Sequence, residues 1–205
     1  MTDKKPSIEM PVGRLIHHSF FTKDQYVDEK GKKSDPSYKS ETAYDPDDIA
    51  ELEELVIQCA VDEWGEEAVQ QYNDGEITSP IHFGDELAEA REKKGKKGDA
   101  YAGQMVIRAH TIFNAEGDNE PGGIYVADNT GDELEVTERR KVYRGCYVIV
   151  NVTPSAYLMS NRRGVSLYLN GAQFVKDGEK LGGGDKGGLF KNVASDGKGR
   201  AARKT

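Results

Sequence analysis

The chain has 205 residues, with 28 basic and 36 acidic side chains for a net charge of −8, and 36% of its residues are hydrophobic. That length suits one domain with a core of its own. No apolar run approaches the ~18 residues of a membrane helix, and the opening MTDKKPSIEM has no hydrophobic region of a secretory signal. With 23 glycines and 10 tyrosines, the composition fits a β domain with long loops better than a helical bundle.

Taken in chain order, residues 1–10 are polar and read as a frayed end. Residues 11–21 form a first strand that stops before Lys23 and Asp24, and 28–36 are a hydrophilic loop. Residues 37–44 alternate and are rich in Tyr and Thr, a second strand. A helix follows, with Asp45 as N-cap, Pro46 at its first position and Asp47 and Asp48 in its first turn. Ile49, Leu52, Val56, Cys59 and Ala60 give it an apolar stripe, and Gly65 ends it. A shorter helical piece covers 66–72. Residues 73–100 are an excursion, with a basic run at 91–99 that is a loop or the end of a short helix starting near Asp85. Strands return over 101–113, 123–128, 142–159 and 163–178, the third bent at Pro154. The second half has no helices between strands, so a doubly wound α/β fold is excluded and a sandwich or small barrel fits.

Charge is unevenly spread. Residues 186–205 hold Lys186, Lys191, Lys198, Arg200, Arg203 and Lys204 against Asp196 alone, a net +5, leaving −13 on the rest. This glycine-rich end reads as a disordered basic tail.

Catalytic signatures are missing. Cys59 and Cys146 belong to no C-x-x-C motif and read as free thiols. His17 and His18 are neighbours on one strand and point to opposite faces, which does not suit a shared metal. Gly182, Gly184 and Gly187 have G-x-G-x-x-G spacing without a βαβ context. The helix start accounts for Asp45, Asp47 and Asp48, which otherwise would suggest a metal-dependent nuclease. The expectation is a protein that is not an enzyme and needs no cofactor or metal.

The strands do carry a pattern. Arg108 and His110 oppose Met105, Ile107 and Ala109; Tyr147 and Asn151 oppose Cys146, Val148, Val150 and Val152; Tyr168 and Asn170 oppose Val165, Leu167 and Leu169. Arg139, Arg140, Arg144 and Arg162 flank these strands. Rings that stack on unpaired bases, beside cations that follow phosphates, are what a single-stranded nucleic-acid platform requires. The rival reading is a structural or assembly protein that binds protein through its β domain.

Residues 143–147, Tyr-Arg-Gly-Cys-Tyr, and 164–184, from Gly-Val-Ser-Leu-Tyr to Lys-Leu-Gly-Gly-Gly, resemble a family of small bacteriophage proteins formerly known as a domain of unknown function. Residues 13–21, the stretch before the helix and 100–111 also look like that family's earlier blocks. The family is similar to phage replication proteins that coat single-stranded DNA through an OB-fold barrel. The resemblance implies a mainly β, OB-fold-like barrel of five to six strands with one inserted α-helix, long loops and a disordered tail. Its implied organisation is a flexible 1–10, a DNA-binding domain over 11–184 and a basic tail over 185–205. Its implied activity is non-catalytic coating of single-stranded DNA in the cytoplasm of the infected host, in replication, recombination or repair. The partners implied are single-stranded DNA and phage or host replication proteins, with no membrane and with room for a homo-oligomer. The expected DNA-binding residues are Lys39, Arg108, His110, Arg139, Arg140, Arg144, Tyr147, Asn151, Arg162 and Tyr168.

Overall fold

The computed structural model describes residues 6–27, 31–112 and 123–181. The tail expected over 185–205 and the end of the strand expected to reach residue 113 lie outside the described residues.

Eight strands occur among the described residues: β1 (Ile8–Glu9), β2 (Gly13–His18), β3 (Tyr38–Tyr44), β4 (Ile81–Phe83), β5 (Met105–Thr111), β6 (Tyr125–Ala127), β7 (Tyr147–Met159) and β8 (Arg162–Lys176). Three helices accompany them: α1 (Ala50–Trp64), α2 (Glu67–Asn73) and α3 (Gly84–Glu92). The pairings β7–β2, β2–β3, β3–β5, β5–β8 and β8–β7 return to their start. Five strands therefore form a ring in OB-fold order, and β1, β4 and β6 are short additions on its edges. The β5–β8 seam is parallel and rests on one registered pair, His110 with Tyr168. Beside it, Thr78 exchanges two backbone hydrogen bonds with β8, to Arg163 (3.0 Å) and from Val165 (2.9 Å), while β4 pairs with β5. The barrel is thus partly open there, with residues 78–83 filling the gap.

Alternation builds the core. Leu15, Tyr44, Ile107, Val148, Val150, Val152, Leu167 and Leu169 are buried on inward positions. Helix α1 closes one end with Leu52, Val56 and Ala60, spaced one turn apart. It follows the second ring strand, as its sequence pattern indicates. Its entry differs from expectation: Pro46–Ile49 is a 3₁₀ turn, and Asp45 makes no side-chain capping bond. Gly65 ends the helix with φ 83° and donates its N–H to Val61 O (2.7 Å).

Two further segments pack on the ring. Within the N-terminal segment read as flexible over 1–10, Ile8 and Glu9 pair with Val152 and Asn151, and Ile8 and Met10 are buried. Their polar neighbours mask that apolar pair in the sequence. In the excursion over 73–100, the short helix expected from near Asp85 is α3, and it packs on the barrel. Ala88 of α3 and Tyr101 join Ile16, Ala43 and Val106 in a second, smaller core. That patch covers the outward side of the Ala43–Val106 pair and leaves the rest of the β3–β5 exterior open.

Candidate nucleic-acid interface

Cross-strand register decides which outward side chains meet. Lys39 pairs with His110, His110 with Tyr168, and Tyr168 with Thr153. One row therefore runs over β3, β5, β8 and β7, three strand spacings or about 14 Å wide. Tyr168 is 42% exposed at its middle. Asn170 extends the row, donating from Nδ2 to Asn151 Oδ1 (2.8 Å) and Thr153 Oγ1 (2.9 Å). Arg108 lies two residues before His110, opposite Glu41. Five of the expected residues, Lys39, Arg108, His110, Asn151 and Tyr168, thus share one surface.

The cations of this surface are held by acids. Arg108 donates from Nε (3.2 Å) and Nη2 (2.9 Å) to Glu41 Oε1. Lys39 Nζ lies 3.6 Å from Asp24 Oδ2, which His17 Nε2 also approaches at 3.6 Å. Half-burial, helped by the Lys39 charge, lowers the pKa of His110, so near neutral pH it presents an uncharged ring. Burial and Arg108 lower His82 likewise, against the opposing pull of Glu41.

The remaining expected residues are placed elsewhere. Tyr147 points outward but pairs with Arg14 and Lys176, and Lys176 Nζ sits 4.7 Å from its ring centre. Arg144 donates from Nε to Ile16 O (2.8 Å). Arg139 and Arg140 lie on a 3₁₀ turn, Val136–Lys141, and the Arg139 guanidinium stacks 4.9 Å from the Phe21 ring centre. Arg162 is exposed at the tip of the β7–β8 hairpin, next to exposed Leu158 and Met159. Alternation put Tyr147 on the outside; it could not show that Tyr147, at the start of β7, faces Lys176, eight residues along β8 from Tyr168.

Sequence reasoning passed over two groups of residues. One is the β2–β3 loop, where His17, Phe21, Lys23 and Asp24 line a hollow of about 430 Å³ and Lys23 lies 5.5 Å from the Tyr38 ring centre. The other is a second hollow of about 360 Å³ beside Asn151 and Asn170, walled by Tyr125 and Glu9. A glycine at 171, inside an alternating strand, is the signal that could have found it.

Comparison with known proteins places this geometry. The model of a family described as Enterobacter phage Enc34, ssDNA-binding protein, matches residues 13–194. Protein p50 of Acyrthosiphon pisum secondary endosymbiont phage 1 is 28% identical over 136 residues, 66% of this chain. The chain spans 65% of the length of that curated relative. Among solved structures, the single-stranded DNA-binding protein from bacteriophage Enc34 in complex with ssDNA is similar in fold, with a TM-score of 0.59 at 17% identity, over 86% of this chain and 89% of that one. The single-stranded DNA-binding protein gp2.5 of bacteriophage T7 gives 0.58 at 15% identity, over 98% and 100% of the two chains.

Proposed function

We infer, since this chain belongs to the Enterobacter phage Enc34 ssDNA-binding protein family, that it binds single-stranded DNA without catalysing a reaction on it. It coats the strand with little sequence preference during phage replication, recombination or repair, in the cytoplasm of the infected cell. The observation that carries this reading is the row of Lys39, His110, Tyr168 and Thr153 across four strands, with Arg108 beside it. An exposed ring on a rigid sheet can stack any base, because every base has a π-face, and Lys39 and Arg108 stand on the same surface.

Phosphates of the strand would compete with Asp24 and Glu41 for Lys39 and Arg108. Exchanging one anionic partner for another costs little, since both ion pairs are partly solvated. Arg140 and Arg162 are exposed and make no ion pair among the described residues, and they stand away from this row. Among the described residues no helix is long and apolar enough to cross a membrane.

Fluorescence titration with oligo-dT across a salt series tests the reading. The expected result is a Kd below about 1 µM at low salt, with log Kobs falling by about 0.7 per phosphate contact for each unit of log salt. Absence of binding at low salt would leave the protein-binding alternative in its place.

A further inference from the structure

The hollow beside Asn151 and Asn170 has a cause in the sheet. Glu9, Asn151, Gly171 and Tyr125 are register partners in one row across β1, β7, β8 and β6. Three of them carry side chains and Gly171 does not, so the row has a gap between Asn151 and Tyr125. An added Cβ at Gly171 would stand 3.6 Å from Tyr125 Cδ1. Tyr125, 43% exposed, forms one wall, Glu9 stands at the far side, and Ile149 and Gln173 close one end. At about 360 Å³ the hollow is at the small end of small-ligand sites, typically ~300–1,000 Å³.

Its polar groups have partly used their bonding capacity. Asn170 donates to Asn151 and Thr153, which leaves its Oδ1 as an acceptor among the described residues. Gln173 donates to Asp128 O (3.0 Å), which leaves its Oε1. With the Glu9 carboxylate, the rim is rich in acceptors. It suits a flat ring with amino groups on its edge, and the carboxylate disfavours a phosphate. Gly171 follows Tyr168 by three residues, about 10 Å along β8, so the hollow continues the outward surface.

We propose that the hollow over Gly171 takes one unstacked nucleobase of the bound strand, stacked on Tyr125 with an exocyclic amino group toward Glu9. The proposal rests on the reading of the chain as a single-stranded DNA binder. Cytosine carries an amino group where thymine carries a carbonyl. The slot therefore gives a mild preference for cytosine within otherwise unselective coating.

The test titrates the full chain and its variants with oligo-dT and oligo-dC at neutral pH and fixed salt. Tyr125→Ala is expected to weaken binding of oligo-dC about tenfold and Tyr125→Phe to retain it. The wild type is expected to favour oligo-dC about threefold, and Glu9→Gln to abolish the ratio; a ratio cancels the general effect of removing a charge. Photo-crosslinking of the wild type to oligonucleotides bearing 5-iododeoxycytidine needs no variant and is expected to label Tyr125. Tight binding with crosslinks away from Tyr125, and with Tyr125→Ala at wild-type affinity, overturns the slot. Equal affinity of the wild type for the two oligonucleotides overturns the Glu9 assignment. A wild type that binds neither overturns the single-stranded DNA reading itself.

Discussion

Tyr168 and His18 show how one side chain acquires its role from its neighbours. Tyr168 stands between His110 and Thr153 and is 42% exposed. Replacing it by Ala should weaken single-stranded DNA affinity about tenfold at fixed salt, with Phe retaining most of it, since stacking carries ~1–3 kcal/mol per base. An unaltered titration curve for the Ala variant would remove Tyr168 from the surface. His18 is half-buried against Phe20, ring centres 4.8 Å apart, and its pKa falls to about 4, through desolvation first and then the charge of His17. A histidine with a lowered folded pKa contributes stability that is complete above its unfolded value near 6.5 and is lost as pH falls toward 4. Between pH 7 and pH 5 that loss is about 2 kcal/mol from His18. Urea denaturation of His18→Gln should show a smaller drop over this interval than the wild type. An equal drop would assign the acid sensitivity to His82 and His110, which shift in the same direction.

At the scale of elements, the start of β7 and the end of β8 are tied by backbone. Gly145 has φ 107°, and a Cβ there would overlap the Glu179 carbonyl oxygen. Its N–H donates to Leu15 O (2.7 Å), and Leu181 N–H donates to Arg144 O (2.8 Å). The Tyr143 hydroxyl accepts from Gly178 N–H (3.0 Å) and donates to Asp177 Oδ1 (2.9 Å). The motif residues 143–147 and 177–181 are therefore one clasp joining β2, β7 and β8. Gly145→Ala carries both a positive φ and a backbone overlap, and should cost about 2–4 kcal/mol. The urea midpoint should fall accordingly, and a midpoint within error of the wild type would show that the clasp yields freely.

For the whole molecule, charge is segregated by element. Residues 40–90 hold 16 acids and no Lys or Arg. They form the second ring strand, α1, α2, β4 and the start of α3, with Glu51, Glu53, Glu54, Asp62, Glu63, Glu66 and Glu67 exposed. The exposed acids of α1 and α2 repel polyanions and turn an approaching strand away from the helices. Changing Glu51, Glu54, Asp62 and Glu66 to their amides should raise the association rate for oligo-dT several-fold at low salt. Near 0.15 M salt, where the screening length is ~8 Å, the gain should vanish. Stopped-flow rates across salt check this, and a gain that persists at high salt would mean that the helices touch DNA directly.

Much of this was legible locally. Period-two alternation separated Arg108, His110, Tyr147 and Tyr168 from the core, and the apolar stripe with Gly65 located α1. These are properties of neighbours in the chain, set by where consecutive Cβ atoms point. Adjacency is not such a property. That Lys39, His110 and Tyr168 share a row while Tyr147 stands apart depends on which edges pair and in what register. The same holds for β1, two residues that become a strand only because β7 offers them an edge. It holds also for the hollow over Gly171, where the missing side chain matters because Tyr125, 46 positions earlier in the chain, is its register partner. Barrel closure brings such distant residues together, and only the tertiary structure states it.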